Sequence, residues 1–456
     1  MFQRVLVANR GEIALRIIRC LREMEIESVL IYSEADKESL PVKFATIPIC
    51  IGPASAKESY LNQDLILDIA IKTGCEAIHP GYGFLSENSE FAAKCEEKGI
   101  HFIGPSSEII RKMGDKMEAR KLMIANNVPV VPGSREVCES AQVAKELADK
   151  IGYPVLLKAV AGGGGRGMRR VYKPEDIEDA FKEASLEAKT AFGNGDMYLE
   201  KLILNPHHIE FQILADKEGN TIYLGERDCS IQRRNQKMIE ESPSKLLSKE
   251  LRKEMGETAV AAAKAAGYFS AGTIEFVVDQ EGNYYFIEMN TRIQVEHPVT
   301  EMVTGVDLVR EQIKIAAGMK LSLTQDDVQL KGHAIECRIN AENPQNNFMP
   351  SPGKIDFLHF PGGNGVRVES AIYDGYEVSP FYDSMIAKVI VHGENRLEAI
   401  RKMRCALEEM IVGGISTNRN FQYIILFHPE FIKGKYDTGF IEQHLKDLLE
   451  WSGQDE

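Results

Sequence analysis

Several features that point to other classes of protein are missing from this sequence. It has no uninterrupted run of about 18 to 20 apolar residues, the length that a membrane-spanning helix needs, and its first residues show neither a signal peptide nor an anchor. Its eight cysteines contain no Cys-x-x-Cys pair, so neither a disulfide framework nor a zinc ribbon is indicated. We therefore expect a cytoplasmic protein.

Basic residues are also in the minority. The chain has 54 Lys and Arg against 68 Asp and Glu, which gives a formal charge of −14 and disfavours nucleic acid as the main ligand. The hydrophobic content of 44% is sufficient for a large core. At roughly 150 residues per domain, the length of 456 residues predicts about three domains.

The order of apolar runs predicts an α/β start to the chain. Over residues 1 to about 110, short apolar runs alternate with amphipathic ones, which is typical of a parallel sheet flanked by helices with a Rossmann-like shape. A long helix is predicted around Ile109 to Asn126, and another from Ala141 to Ile151 with Ser140 as its N-cap. Strands and turns then dominate after residue 332, until two closing helices near residues 396–410 and 439–449.

A glycine run directly after a predicted strand is the first candidate site. Lys158 precedes Gly162, Gly163, Gly164 and Gly165, and backbone amides in such a run can wrap phosphate oxygens while the lysine supplies charge. The order is not that of a P-loop, which indicates a different phosphate cradle. The alternative is a flexible linker. We favour a mobile lid over phosphate.

The hairpin around residues 271–290 indicates a metal site. If Glu281 and Gly282 form a two-residue turn, the register places Glu275 directly opposite Glu288. Like charges in that position are destabilising unless a cation or proton intervenes, and Asn290 returns to the same face. Such oxygen ligands suit Mg²⁺ or Mn²⁺. The alternative is a hairpin face in which both glutamates point to water.

The next segment indicates an anion site. Arg292, Gln294 and Glu296 alternate with apolar residues, so an extended chain would present the three polar groups together. The arginine can hold a planar oxyanion, and the glutamate can act as a base. A half-buried edge strand with a polar outer face is the alternative interpretation.

Three further segments have structural alternatives. The turn Asn9-Arg10-Gly11 has one glycine where a dinucleotide fingerprint needs three, so a structural turn is the better interpretation. Residues 79–88 form a turn-rich loop where α/β folds place ligands, and residues 332–340 alternate like a strand with Arg338 at the far end. Either could be purely structural.

Together these motifs resemble one family, biotin carboxylase, the ATP-grasp component of biotin-dependent carboxylases such as acetyl-CoA carboxylase or a two-subunit pyruvate or acyl-CoA carboxylase. The matching stretches run in order along the chain: 7–14, 79–88, 113–116, the glycine run, 226–234, 286–301, 336–342 and 380–385. The resemblance implies an α/β and α+β multidomain fold. Its parts are a Rossmann-like preATP-grasp domain over 1–114, an ATP-grasp domain over 115–330 with a mobile lid at about 132–203, and a mixed β/α C-terminal domain over 331–447.

The resemblance also implies roles for individual residues. ATP contacts would come from Lys116, Lys158, the lid glycines, Glu200, Lys201, Leu202, Ile203, His208, Gln232 and Asn235. Magnesium or manganese would be held by Glu275, Glu288 and Asn290. Bicarbonate would lie on Lys237, Arg292, Gln294 and Val295, and biotin near Tyr82 and Arg338. The catalytic groups would be Glu296, Arg292, Arg338 and Lys237.

The implied reaction is the ATP- and bicarbonate-dependent carboxylation of biotin through carboxyphosphate. No Met-Lys-Met attachment site occurs in the sequence, so the implied partners are a separate biotin carboxyl carrier protein and carboxyltransferase subunits. A homodimer is also implied, although Asn364 stands where an aromatic residue that packs the family's dimer is common, and Asn235 stands where many relatives have histidine. Two alternatives remain: a catalytically silent nucleotide-binding module of the same fold, and another ATP-grasp ligase.

Overall fold

The computed structural model describes residues 1–161 and 167–453. The first part of the chain alternates strands and helices: β1 Arg4–Val7, α1 Gly11–Glu23, β2 Glu27–Tyr32, α2 Leu40–Phe44, β3 Ile47–Cys50, α3 Gln63–Lys72, β4 Ala77–His79, α4 Ser89–Glu97, β5 His101–Phe102, α5 Ser107–Gly114 and α6 Lys116–Ala125. The strands form a parallel sheet in the order β3-β2-β1-β4-β5. The predicted Rossmann-like start is confirmed.

The long helix predicted around Ile109 to Asn126 is wrong, because the chain forms two helices there. Asp115 lies between α5 and α6, and its Oδ1 accepts the amides of Met117 at 2.9 Å and Glu118 at 3.0 Å. A side chain that caps the second helix in this way competes with continuation of the first.

The predicted lid region, 132–203, contains a small sheet covered by two helices: α7 Ala141–Ile151, β6 Val155–Ala159, β7 Met168–Val171, α8 Ile177–Phe192 and β8 Met197–Lys201. The strand order is β7-β6-β8. Ser140 caps α7 as predicted, since its Oγ accepts the amide of Val143 at 3.3 Å. The glycine run lies largely outside the described residues, including Gly163, Gly164 and Gly165.

The rest of the chain builds the largest sheet. Its elements are β9 His207–Ala215, β10 Thr221–Arg233, β11 Gln236–Ser242, α9 Lys249–Ala265, β12 Ser270–Val278, β13 Tyr284–Asn290, α10 His297–Thr304, α11 Leu308–Ala316, β14 His333–Asn340, β15 Glu342–Asn343, β16 Met349–Pro350, β17 Gly353–Lys354, β18 Phe357–His359, β19 Val366–Ser370, β20 Glu377–Val378, β21 Met385–Gly393, α12 Arg396–Glu409, β22 Ile411–Gly413, α13 Arg419–Ile425, α14 Pro429–Lys433 and α15 Phe440–Ser452. The two predicted closing helices correspond to α12 and α15, and the short helices α13 and α14 between them were not predicted.

Eight of these strands form one continuous antiparallel sheet in the order β13-β12-β9-β10-β11-β14-β21-β19. It crosses the predicted boundary at residue 330, because β11 pairs with β14, with Glu240 opposite Glu336. Side chains from both sides of that boundary therefore lie on one surface. The domain limits themselves remain predictions.

The eight cysteines are all free thiols, as expected from their spacing. Among the helices of residues 1–161 and 167–453, none has both the length and the apolar character to cross a bilayer. The α/β and α+β multidomain prediction is confirmed.

Candidate active site

A cavity of about 1260 Å³ lies between the first sheet, the lid region and the large sheet. The carboxyl ends of β1 and β4 open into it through residues 9–13 and 82–84, which is where a parallel sheet of this order presents ligand sites. The cavity is lined by most of the residues predicted to bind ligands: Tyr82, Lys116, Lys158, Glu200, Lys201, Leu202, Ile203, His208, Gln232, Asn235, Lys237, Glu275, Glu288, Asn290, Arg292, Gln294, Val295 and Arg338. Glu296 lies beneath its surface, fully buried.

The lid side of the cavity carries a buried ion-pair cluster. Lys158 Nζ lies 2.7 Å from Glu200 Oε2, and Arg120 Nη1 lies 3.1 Å from Glu200 Oε1. Burial opposes the charge of Lys158, but the adjacent Glu200 outweighs it and raises the pKa of the lysine. Burial lowers the pKa of Lys116, although the charge of Glu288 acts in the opposite direction. An anionic phosphate bound between Lys158 and Lys116 would therefore offset the cost of burying both ammonium groups.

Lys201 lines the cavity, but its ammonium is already engaged. Its Nζ donates to the carbonyls of Gly152 at 2.9 Å and Tyr153 at 3.0 Å. The side chain therefore stabilises the loop before β6, and Leu202 and Ile203 continue from it along the cavity wall.

The predicted pairing of Glu275 and Glu288 is present, but the predicted turn is wrong. Val278 pairs with Tyr284, so the loop spans Gln280 to Gly282 and is closed by a hydrogen bond from the Asp279 amide to the Asn283 carbonyl at 2.9 Å. A β-bulge between the Glu275 and Phe276 pairs shifts the register by one residue. Because of this one-residue shift, Glu275 lies opposite Glu288 even though the turn differs from the predicted one.

A third carboxylate extends this pair into a row. Glu275 on β12 pairs with Glu288 on β13 and with Glu210 on β9. Three side chains at the same level of adjacent strands lie on one face. Glu210 was not predicted, because the pairing of β9 with β12 joins strands that are not consecutive. The alternation of His208, Glu210 and Gln212 along the sequence was the signal that could have predicted this polar face.

Cations and amides surround Glu275. His208 Nε2 lies 2.9 Å from Glu275 Oε2, and Asn290 Nδ2 lies 2.8 Å from Glu275 Oε1. Burial opposes ionisation of Glu275, yet Lys237 and His208 hold the pKa of its carboxyl well below the usual range. Burial and the charge of Glu275 raise the pKa of Glu288. Two opposed carboxylates and one amide oxygen fit a hard divalent cation, which would relieve this repulsion.

Lys237 is the charge that joins the carboxylate row to the predicted base. Its Nζ lies 2.6 Å from Glu210 Oε2, 3.1 Å from Glu275 Oε1 and 2.7 Å from Glu296 Oε1. Burial opposes its charge, but the three carboxylates raise the pKa of Lys237 well above its ordinary value.

Glu296 is held between cations. Its Oε2 accepts a hydrogen bond from Arg338 Nη2 at 2.9 Å, opposite the Lys237 contact. Burial favours the protonated form, but Lys237, Arg338 and Arg227 hold the pKa of Glu296 well below the usual range. The predicted extended strand is wrong here, because residues 291–296 form an irregular loop and turn that leads into α10. Pro298 at the start of α10 favours the helix over a strand.

Arg292 and Gln294 line the cavity and contact each other. Arg292 Nη1 donates to Gln294 Oε1 at 2.8 Å, and its Nη2 donates to Asn290 Oδ1 at 3.0 Å. Arg292 Nε donates to Glu87 Oε2 at 2.9 Å, a partner that was not predicted. The guanidinium is thus fixed in orientation, with acceptors on the protein that an entering anion would have to displace.

Arg338 and Tyr82 reach the cavity from different parts of the chain. Arg338 lies on β14, and its Nε donates to Glu240 Oε1 at 2.6 Å. Tyr82 follows β4, and its hydroxyl donates to Glu12 Oε1. Glu240 was not predicted as part of the site. Burial raises the pKa of Glu240 to about 7 despite the adjacent Arg338.

Asn235 lies in the two-residue turn between β10 and β11. Arg233 pairs with Gln236, and the two turn residues, Arg234 and Asn235, have φ of +50° and +64°. Asparagine adopts this left-handed conformation more readily than most residues. The turn therefore favours asparagine at position 235 by itself, independently of any contact in the cavity.

Comparison with known families covers nearly the whole chain. Residues 1–110 match the biotin carboxylase N-terminal domain, residues 115–324 match the carbamoyl-phosphate synthase L chain ATP binding domain, and residues 336–443 match the biotin carboxylase C-terminal domain. Biotin carboxylase 1 of Bacillus subtilis is 56% identical over 97% of this chain and 99% of its own length. The small subunit of 2-oxoglutarate carboxylase from Hydrogenobacter thermophilus is 53% identical over 97% of this chain and 94% of its own length.

Solved structures agree with these relatives. The biotin carboxylase domain dimer of Hydrogenobacter thermophilus 2-oxoglutarate carboxylase, in complex with MgADP, ADP and bicarbonate, superposes with a TM-score of 0.95 at 52% identity, covering 98% of this chain and 99% of that one. Biotin carboxylase from Campylobacter jejuni also has a TM-score of 0.95, at 51% identity, covering 97% of this chain and 99% of that one. This chain therefore belongs to the biotin carboxylase family and is an ATP-dependent ligase that carboxylates biotin.

Proposed function

We propose that this chain carries out its biotin carboxylation through carboxyphosphate, with Glu296 as the base, on biotin attached to a separate carrier protein. The observation that supports this most directly is the contact of Glu296 with Lys237 and Arg338. Lys237 and Arg338 line the cavity and contact the buried Glu296 carboxylate, so both cations are placed to contact an anionic substrate that enters.

The nucleotide would occupy the lid side of the cavity. Its phosphates would lie on Lys116 and Lys158, and the remaining ATP contacts would come from Glu200, Lys201, Leu202, Ile203, His208, Gln232 and Asn235. Magnesium or manganese would be held by Glu275, Glu288 and Asn290, and when bound it supplies charge neutralisation for the phosphates. The raised pKa of Glu288, caused by burial and by Glu275, supports this assignment.

Bicarbonate would bind to Lys237, Arg292, Gln294 and Val295. An anion on Lys237 and Arg292 would draw positive charge away from Glu296, and the pKa of this carboxyl would rise toward that of a base. Glu296 would then take the bicarbonate proton, and a bicarbonate oxygen would attack the γ-phosphorus of ATP. The products of this step are carboxyphosphate and ADP.

The second step would take place near Arg338 and Tyr82. Carboxyphosphate would break into CO₂ and phosphate, and the phosphate would accept the proton from the ureido nitrogen of biotin. That nitrogen would attack CO₂ and form carboxybiotin, while Arg338 would stabilise the negative charge on the ureido oxygen.

Partners and location are part of the proposal. The Hydrogenobacter relative is named as a small subunit of its carboxylase, and the solved Hydrogenobacter structure is a dimer. We expect a carrier protein and carboxyltransferase subunits on other chains, a homodimer, and a cytoplasmic location that is consistent with free thiols. The final acceptor, acetyl-CoA, pyruvate or another acyl compound, would be set by the carboxyltransferase. No observation favours the catalytically silent module.

The test is ADP release in the presence of ATP, Mg²⁺, bicarbonate and free biotin, with each component omitted in turn. We expect release to require bicarbonate and to rise with biotin, and labelled bicarbonate to appear in carboxybiotin. A rate that is unchanged without both biotin and bicarbonate would overturn the proposal.

A further inference from the structure

Lys388 is a lysine wholly shielded from solvent. It lies on β21 directly opposite Arg338 on β14. Its Nζ donates to the carbonyl of Val295 at 2.7 Å and lies 3.1 Å from Glu12 Oε1. Burying an ammonium group is costly unless it is paired and hydrogen-bonded, so these contacts account for its presence.

The first contact fixes a peptide next to the proposed base. Residues 291–296 belong to neither a strand nor a helix, so a side chain orients this carbonyl instead of a neighbouring strand. Because a peptide unit is planar, orienting the Val295 carbonyl also orients the amide nitrogen of Glu296. Glu296 is the N-cap of α10, and the helix limits how far the loop can rearrange on its other side.

The second contact connects the same ammonium to the other wall of the cavity. Glu12, in the first turn of α1, uses Oε1 both for Lys388 and for the hydroxyl of Tyr82. One buried charge therefore links the loop of Val295 with the residue that we place next to biotin.

Two other acids lie near Lys388. Glu369, directly opposite on β19, is paired with Arg367 at 2.6 Å, and Glu336 lies on β14. Among the described residues, neither carboxylate oxygen of Glu336 has a hydrogen-bond partner, and its side chain is fully buried. Burial raises the pKa of Glu336 well above its ordinary value, although Lys388 acts in the opposite direction. The Lys388 ammonium instead contacts the Val295 carbonyl and Glu12.

We propose that Lys388 is a positioning residue. Through the Val295 carbonyl it holds the loop of residues 291–296, and through Glu12 it connects this loop to Tyr82. This role rests on the proposed function, because it assumes that Val295 and Glu296 act on bicarbonate. Lys388 does not reach the cavity surface, so it acts through these residues and not on substrate.

The test compares Lys388→Met with Arg396→Met. Arg396, the first residue of α12, is also a mostly buried cation and lies 2.6 Å from Glu241, but it lies away from the cavity. We expect Lys388→Met to raise the KM for bicarbonate by about tenfold or more and to lower kcat, because a displaced loop loses near-attack geometry. Arg396→Met should lower Tm and leave that KM within about twofold. Both variants should retain ADP binding, and Lys388→Arg should restore part of the lost activity.

Hydrogen exchange gives a readout that does not depend on turnover. We expect faster exchange in Lys388→Met over residues 291–297, without the same change in Arg396→Met. If wild-type ADP release did not require bicarbonate, the proposed function would fail, and the exchange measurement would still decide whether Lys388 holds the loop. An unchanged bicarbonate KM with unchanged exchange in Lys388→Met would overturn the positioning role.

A second variant covers the case in which Lys388→Met does not fold. The double variant Glu12→Gln with Lys388→Met removes both members of the buried pair, so no uncompensated charge remains. It should fold and still show the raised bicarbonate KM, because the Val295 carbonyl has lost its donor. A folded double variant with the wild-type KM would contradict the proposal.

Discussion

Lys237 Nζ lies 2.7 Å from Glu296 Oε1, at a point where the Glu296 carboxylate is wholly shielded from solvent. This pair connects the two halves of the site, because Lys237 also contacts the acidic row through Glu210 and Glu275. A bicarbonate bound to Lys237 would therefore lie between the phosphate-binding side and the base.

Replacing the proposed base tests this arrangement. Glu296→Gln keeps the shape of the side chain but removes its ability to take a proton, so bicarbonate-dependent ADP release should fall by about 10²-fold or more. Lys237 keeps Glu210 and Glu275 as partners, and Arg338 keeps Glu240, so folding should be retained. The measurements are initial rates and ADP affinity by titration. A bicarbonate-dependent rate within about threefold of wild type would rule out proton transfer by Glu296.

The carboxylate pair predicts a change in metal requirement. Glu288→Gln removes one charge from the site, so the Mg²⁺ concentration that gives half-maximal ADP release should rise by on the order of tenfold or more. Glu281→Gln is the matched control, because Glu281 lies in the loop of the same hairpin and is exposed to solvent. Equal Mg²⁺ requirements for the two variants would argue against a metal at Glu288.

Local patterns predicted much of the fold because they depend on neighbouring residues. The alternation of strands and helices up to residue 110 and the Ser140 cap are of this kind. The split at Asp115 was missed because Asp115 can cap a helix only if the preceding helix ends, and helical periodicity continues on both sides. The continuous sheet across residue 330 depends on the pairing of β11 with β14, which no short-range pattern records.

One part of the site could be predicted because it, too, depends on residues that are close in the sequence. Glu275 and Glu288 belong to one hairpin, so a local register argument could bring them together even with the wrong turn. Glu210, Glu240 and Lys388 come from strands that meet only in the assembled sheet. Their charges could be read from the sequence, but their partners could not.

Asn235 allows the role of its side chain to be separated from the role of its backbone. Asn235→Gly keeps the positive φ of the turn but removes the amide, whereas Asn235→Ala also strains the turn. Both should weaken ADP binding by about fivefold, which corresponds to one lost hydrogen bond. Only Asn235→Ala should lower Tm. Asn235→His should bind ADP within about threefold of wild type, and wild-type affinity in Asn235→Gly would exclude a nucleotide contact by this side chain.

His79 predicts a pH dependence of stability. Burial lowers the pKa of His79 to about 3 from its ordinary 6.5, and its Nδ1 accepts the Gly81 amide at 3.1 Å. The folded state keeps the ring neutral, so the unfolded state binds the extra proton below pH 6.5. This contribution to stability is fully present above that pH and is lost as the pH falls toward 3.

The measurement is Tm between pH 7 and 5 for the wild type and His79→Asn. The asparagine oxygen can accept the same amide but does not titrate in this range, so the decline in Tm with falling pH should be smaller in the variant. For one proton, the free energy of unfolding should fall by at most about 1.4 kcal/mol per pH unit more in the wild type than in the variant. Parallel curves would show that His79 does not take up a proton on unfolding.

Arg338 separates the two steps of the reaction. Its fork contacts Glu240 through Nε at 2.6 Å and Glu296 through Nη2 at 2.9 Å. Arg338→Lys keeps the positive charge next to both acids but loses the planar geometry that a ureido oxygen and two carboxylates can share. Formation of labelled carboxybiotin should therefore fall by about 10²-fold, whereas ADP affinity and ADP release without biotin should stay within about threefold. Arg233→Lys, on strand β10 of the same sheet and outside the cavity, serves as the control. If Arg338→Lys weakened nucleotide binding as much as carboxybiotin formation, the arginine would belong to the ATP site, and the separation of the cavity into a phosphate side and a biotin side would be wrong.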